Sequence, residues 1–169
     1  MKPIPLILEN QIKEKIQELA GIISSDYPDG LIVIGVLKGA FIFMSDLVRA
    51  LQVPASCDFV KVASYKGKAS SGKISLELGP SLPTGQKRIL LVEDIIDTGL
   101  TLSWLKDYFS KKGAEVKICA LLDKPSQRKI DISPDYTGFV VEDYFVVGYG
   151  LDYNEEYRSL AYIGYLNKY

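Results

Sequence analysis

The chain has 169 residues, of which 47% are hydrophobic and 24% charged, with 20 basic against 21 acidic side chains. That length suits one domain with a sizeable core, and the near-neutral balance argues against a general nucleic-acid binder. Histidine is absent, which excludes Ser-His-Asp and Cys-His mechanisms and every His-liganded zinc site. Acid–base chemistry therefore falls to Asp, Glu, Lys or Tyr.

Met1 to Leu8 is too short for the apolar region of a signal peptide, and no apolar run approaches the length of a membrane span. The expectation is a soluble, cytoplasmic protein with no membrane partner. From Glu9 to about Ser25, Ile12, Ile16, Leu19, Ala20 and Ile23 recur at helical spacing, and Tyr27-Pro28-Asp29-Gly30 then breaks the helix. Leu31 to Val36 is continuously apolar, as a buried parallel strand should be. A helix is expected over Ala40–Leu51, a strand over Cys57–Ala63, a Gly/Ser/Lys-rich stretch over Ser64–Lys73 and a strand over Ile74–Leu78. Arg88–Val92 reads as a strand, Thr98–Lys112 as a helix and Val116–Leu122 as a strand.

Beyond these, Tyr136–Val141, Phe145–Tyr149 and Ser159–Tyr165 read as strands at the sheet's edge or in a cap. Seven of the eleven tyrosines lie from Tyr144 onward, which suits aromatic packing around a pocket or a subunit contact. The alternation describes an α/β fold, a mainly parallel sheet flanked by helices, with a small irregular cap from the chain ends and residues 1–169 forming one domain. Cys57 and Cys119 are too few for a disulfide framework, so both are expected as reduced core thiols.

The densest chemical signal is Ile89-Leu90-Leu91-Val92-Glu93-Asp94-Ile95-Ile96-Asp97-Thr98-Gly99-Leu100-Thr101. A buried strand delivers two adjacent carboxylates to its C-terminal end, a third follows, and a Thr-Gly-x-Thr turn opens a helix. Ligands of open α/β sheets bind outside the carboxyl ends of the strands. The helix start makes Thr98, Gly99 and Thr101 a phosphate cradle. Carboxylates beside a phosphate would repel it unless they hold ribose hydroxyls or Mg²⁺. This is neither a Walker loop nor a dinucleotide-binding turn.

The stretch closely resembles the phosphoribosyl pyrophosphate motif of type I phosphoribosyltransferases. The resemblance implies that Glu93 and Asp94 hold the ribose hydroxyls and organise Mg²⁺, and that Asp97 is the catalytic acid/base at the purine's imidazole edge. It also implies that Ile95 and Ile96 belong to the substrate site, and that Thr98, Gly99, Leu100 and Thr101 follow Asp97 around the 5′-phosphate. Leu100 departs from members that carry lysine there, a small change where backbone N–H groups bind the phosphate.

Four further segments point to the hypoxanthine–guanine branch. In Gly35-Val36-Leu37-Lys38-Gly39-Ala40, Lys38 is by itself more readily a solvated strand-end charge than a ligand group. By resemblance, Lys38 and Gly39 form the pyrophosphate loop, which in relatives often carries a cis peptide that sequence does not reveal. Ser64 to Lys73 is by itself a hairpin tip; it is similar to the family's lid, with Ser64 and Tyr65 at its stem. Lys124, in Leu121-Leu122-Asp123-Lys124-Pro125, is either a surface charge or a donor to the base. As donor-only, it would favour a 6-oxopurine over adenine. Phe145-Val146-Val147-Gly148-Tyr149-Gly150-Leu151-Asp152-Tyr153-Asn154-Glu155-Glu156-Tyr157-Arg158 resembles the branch's C-terminal signature. In it Phe145 would stack on the purine, Val146 read the ring edge, Asp152 lie near the 2-position and a second Mg²⁺, and Arg158 meet pyrophosphate.

The implied activity joins a 6-oxopurine to phosphoribosyl pyrophosphate, with Mg²⁺ as cofactor and a homodimer or homotetramer as assembly. The choice among hypoxanthine, guanine and xanthine stays open. A regulator that senses phosphoribosyl pyrophosphate is the rival from another class. It would need a basic face or an added DNA-binding segment, and neither is seen.

Overall fold

The computed structural model describes residues 2–64 and 74–167. In chain order it holds β1 (Ile4–Ile7), α1 (Glu9–Asp26), β2 (Leu31–Leu37), α2 (Phe41–Ala50), β3 (Ala55–Ser64), β4 (Ile74–Leu78), β5 (Arg88–Ile96), α3 (Leu100–Ser110), β6 (Glu115–Asp123), β7 (Tyr136–Val140), β8 (Val146–Val147) and β9 (Ile163–Tyr165). Six strands form a sheet of order β4-β3-β2-β5-β6-β7, parallel throughout except for β4, which runs antiparallel to β3.

The strands alternate their side chains between two layers, as period-two geometry requires. Leu90 and Val92 of β5 share a core with Ile12, Ile16, Leu19 and Ile23 of α1 and with Phe43, Met44 and Leu47 of α2. Ile89 and Leu91 turn the other way and pack on Leu102, Leu105 and Phe109 of α3. With both faces covered, a central strand has no polar side to offer, which explains the unbroken apolar runs of β2, β5 and β6.

Several boundaries differ from the sequence expectation. β5 continues four residues past Val92, because its ladder with β6 extends through Glu93↔Ala120, Ile95↔Leu122 and Ile96↔Asp123. α3 begins at Leu100 rather than Thr98, since Gly99 is left-handed (φ 82°) and cannot lie inside a helix. The cap is more regular than expected: it is a three-stranded antiparallel sheet, β1-β9-β8. β1 was not foreseen as a strand, and its Pro5 is tolerated because β1 is an edge. The strand expected over Phe145–Tyr149 shrinks to Val146–Val147, because Gly148, Tyr149 and Gly150 all have positive φ (97°, 51° and 101°) and turn the chain away. Cys57 is also exposed, not a core thiol, whereas Cys119 is buried. β4 pairs with β3 from Lys61 onward, so the start of β3 near Cys57 is an open edge.

Candidate active site

The parallel strands bring their carboxyl ends to one side of the sheet, and β5 reaches further there than its neighbour. Its pairing with β2 ends at Gly35↔Val92. Past that point the loop after β2 fills the space beside β5. A Cβ built on Gly39 would lie 1.7 Å from Asp94 Oδ2, so the backbone of Gly39 rests directly against that carboxylate. From the other side, Gly150 approaches so closely that its own Cβ would be 2.2 Å from the carbonyl oxygen of Gly39. Three distant segments, around residues 39, 94 and 150, thus meet at a point where there is no room for a side chain at 39 or 150. The Leu37–Lys38 peptide in this loop is cis.

Asp94 is buried and Glu93 partly so. Asp94 Oδ1 accepts from the Ile95 N–H at 2.8 Å, and Glu93 Oε1 from the Asp94 N–H at 3.3 Å. Burial, reinforced by the neighbouring Asp94 carboxylate, lifts Glu93 well above the usual carboxylate range. Burial also raises Asp94, offset by its bond from Glu93 and by the charge of Arg158. Two adjacent carboxylates that resist ionising together suit hydroxyl donors or a cation brought by a ligand. Among the described residues no group of three or more acidic, Cys or His side chains forms a metal cage.

The turn from β5 into α3 encloses a concavity of about 180 Å³ lined by Glu93, Ile95, Ile96, Asp97, Thr98, Gly99, Thr101 and Leu102. Only glycine fits at position 99. Its φ is positive, and a Cβ there would sit 2.5 Å from Ile132 Cγ2 and 3.2 Å from Arg128 Cδ. The cap residue of α3, Gly99, has no side chain, and Thr98 Oγ1 accepts a long bond, 3.4 Å, from the Leu100 N–H. A helix start whose cap residue offers no side chain presents first-turn N–H groups to an anion. The loop is held from behind by Lys129 N–H donating to Thr98 O at 3.0 Å.

Lys124 is not a surface charge. It is 7% exposed, its Nζ donates to Tyr144 O at 2.7 Å and lies 3.5 Å from Asp143 Oδ1. Its own N–H donates to Ile96 O at 2.9 Å, tying the end of β6 to the acidic strand. The next residue after its acceptor is Phe145, half exposed, with its ring edge-on to Tyr153 at 5.4 Å. Val146 is buried in β8. Arg158 joins the cluster through Gly150 O at 2.7 Å, Asp152 Oδ1 at 2.9 Å and Glu155 Oε2 at 3.1 Å. Lys38 reaches the same Glu155, at 3.1 Å.

The structure thus gathers Lys38, Gly39, Glu93 to Thr101, Lys124, Phe145, Val146, Asp152 and Arg158 around the carboxyl ends of the strands. Ser64 closes β3; Tyr65, with the rest of the expected lid to Lys73, lies outside the described residues. Sequence reasoning missed three participants. Arg128 packs over Gly99 and pairs with the largely buried Asp123, and its Nη1 is buried without a hydrogen-bond partner. Gly150 supports Gly39, and Glu155 bridges the two cations. For Glu155 a signal was present, an acidic residue three positions before Arg158; for Arg128 there was none.

The chain as a whole is similar to known proteins of one family. The phosphoribosyl transferase domain family matches residues 7–154. The hypoxanthine-guanine phosphoribosyltransferase of Bacillus subtilis is 48% identical over 164 residues, 95% of this chain and 91% of that protein. That of Lactococcus lactis is 44% identical over 163 residues, 95% of this chain and 89% of that protein. A crystal structure of a hypoxanthine-guanine phosphoribosyltransferase from Bacillus anthracis, 42% identical, superposes with a TM-score of 0.90 over 96% of this chain and 98% of that one.

Proposed function

The chain belongs to the phosphoribosyltransferase family, and from that premise we propose that the cluster at the strand ends is where phosphoribosyl pyrophosphate and a 6-oxopurine meet. The activity is purine salvage: the phosphoribosyl group passes to hypoxanthine or guanine, giving IMP or GMP and pyrophosphate. The observation that carries the site assignment is the meeting of a carboxylate pair at the end of β5, a helix start whose cap residue is glycine, and a buried lysine whose N–H donates to Ile96 O and whose Nζ donates to Tyr144 O, just before Phe145 in the chain.

In this reading Thr98, Gly99, Leu100 and Thr101 hold the 5′-phosphate through backbone N–H groups, with Ile95 and Ile96 forming the wall of the same concavity. Glu93 and Asp94 accept from the ribose hydroxyls. Mg²⁺ fits here without a protein cage, because it is commonly held by one or two carboxylates together with substrate phosphates. Glu93, Asp94 and Asp152 would be its protein partners, and bound there it would supply charge neutralisation for the leaving group. Lys38 and Arg158 add positive charge to the departing pyrophosphate, and Gly39 lets its loop lie against Asp94. Asp97 exchanges a proton with the purine imidazole as the nitrogen attacks the anomeric carbon. Lys124 donates to the 6-oxo group, Phe145 stacks on the ring and the Val146 backbone reads its edge.

One domain over 1–169 is supported by Ile7, Val146 and Ile163 of the cap sharing a core with Leu90 and Val92 of the main sheet. A homodimer or homotetramer would cover the exposed Phe41 and Leu100, which flank two of the loops. No helix among the described residues is long and apolar enough to cross a membrane, and the two cysteines are free, which supports a reducing cytoplasm.

The direct test is a spectrophotometric assay with phosphoribosyl pyrophosphate and Mg²⁺, offering hypoxanthine, guanine, xanthine and adenine separately. Turnover of hypoxanthine or guanine, abolished by a chelator and absent with adenine, is the expected result. Silence with all four bases despite binding of phosphoribosyl pyrophosphate would favour a sensor instead. Gly39→Ala provides a sharper probe of the loop. Its methyl must displace either Asp94 or the loop, so kcat/KM for phosphoribosyl pyrophosphate should fall about a hundredfold, the effect of a misplacement near 1 Å. Unchanged kinetics in that variant would remove Gly39 from the site.

A further inference from the structure

Lys38 and Arg158 come from opposite parts of the chain, and the side chain between them is a carboxylate. Glu155 Oε1 lies 3.1 Å from Lys38 Nζ, and its Oε2 lies 3.1 Å from Arg158 Nη2 and 3.4 Å from Nε. Each oxygen of one carboxylate is thus given to one cation. The backbone is bent to deliver it: Asn154, Glu155 and Tyr157 all have positive φ (51°, 63° and 74°). That conformation is uncommon for side-chain-bearing residues and is retained where the surroundings impose it. The Glu155 N–H is fastened to Asp152 Oδ2 at 2.9 Å.

We propose that Glu155 is an internal counter-anion of the pyrophosphate subsite, which occupies Lys38 and Arg158 in the ligand-free protein and yields them when pyrophosphate arrives. The inference rests on the reading that these two cations meet pyrophosphate. Two like charges brought together need an anion between them, and a carboxylate with its oxygens divided between them has the same chemistry as the phosphate oxygens that replace it. The two cations are not held alike. Arg158 keeps Asp152 and the Gly150 carbonyl when Glu155 leaves, so its guanidinium stays in place. Lys38 is paired with Glu155 and is 55% exposed, so it is free to follow the incoming ligand. Glu155 is itself 63% exposed and can swing into water without a desolvation cost.

Glu155 therefore competes with every anion for this subsite. It weakens ground-state binding of phosphoribosyl pyrophosphate and, after transfer, reclaims the cations and speeds the departure of pyrophosphate. Pairs this exposed contribute modestly, so the effect is in the range of about two- to tenfold and shrinks as salt rises.

The test is calorimetric titration of inorganic pyrophosphate, with Mg²⁺, into the whole protein. Glu155→Gln removes the charge at constant size. Glu155→Asn does so with a side chain that accepts positive φ, which guards against a folding defect. Glu156→Gln, the exposed neighbour, is the control. Both Glu155 variants should bind pyrophosphate about two to ten times more tightly than wild type, with Glu156→Gln unchanged. Wild-type or weaker affinity in both Glu155 variants, with Lys38→Ala clearly weakened, would overturn the inference while leaving the subsite intact. If Lys38→Ala and Arg158→Ala also bind like wild type, the pyrophosphate subsite itself has been misassigned.

Discussion

Asp97→Asn is expected to lower kcat by about 10²- to 10³-fold while KM for phosphoribosyl pyrophosphate stays within a few-fold. The asymmetry follows from where Asp97 sits. β5 ends at Ile96 and the left-handed Gly99 is the cap residue of α3, leaving Asp97 exposed on the connecting stretch at the edge of the concavity. The loop is held from other points, by the Lys129 N–H on Thr98 O and by Arg128 and Ile132 packed on Gly99. Asparagine has the same shape, so the loop and its N–H groups should be undisturbed and only the capacity to exchange a proton is lost. A group used only in the transition state lowers kcat without raising KM. Steady-state kinetics in both substrates decides the point. Equal losses in kcat and KM, or no loss, would deny Asp97 that role.

The second large effect concerns the base. Lys124→Gln should reduce kcat/KM for hypoxanthine by about 10- to 100-fold, the scale of a lost hydrogen bond from a charged group. An amide both donates and accepts, whereas the lysine only donates, so preference for hypoxanthine over adenine should narrow at least tenfold. Lys124 is suited to this experiment because its place is so constrained: nearly buried, donating to Tyr144 O, with Phe145 next in the chain. Competition between the two bases, with thermal unfolding to confirm an intact fold, gives the measurement. An unchanged base preference would mean that Lys124 only props the Tyr144 carbonyl.

Much of the candidate site is legible in the chain because it lies in contiguous residues. Glu93 to Thr101 is one strand end and one turn, and its meaning depends on order along the chain more than on distant contacts. The same holds for β4, whose Ile74–Leu78 span agrees with the sequence expectation. Lys124 was ambiguous for the opposite reason. A lysine before a proline has the same local sequence whether water or Tyr144 O receives its ammonium, and only burial separates the two. Cys57 was misjudged likewise, because its apolar neighbours in sequence say nothing about where the adjoining strand begins to pair.

The sequence by itself determined the α/β alternation, the apolar strands and the position of the turn between β5 and α3, since periodicity and turn chemistry act over a few residues. The tertiary structure alone decided what lies between those segments. β5 outruns β2, and into that gap come the Gly39 backbone and Gly150 behind it. Lys38 and Glu155 pair across 117 positions, and the chain ends close into a β1-β9-β8 sheet. Contacts of this kind depend on register and on the space left by neighbouring elements, which no local pattern of residues encodes.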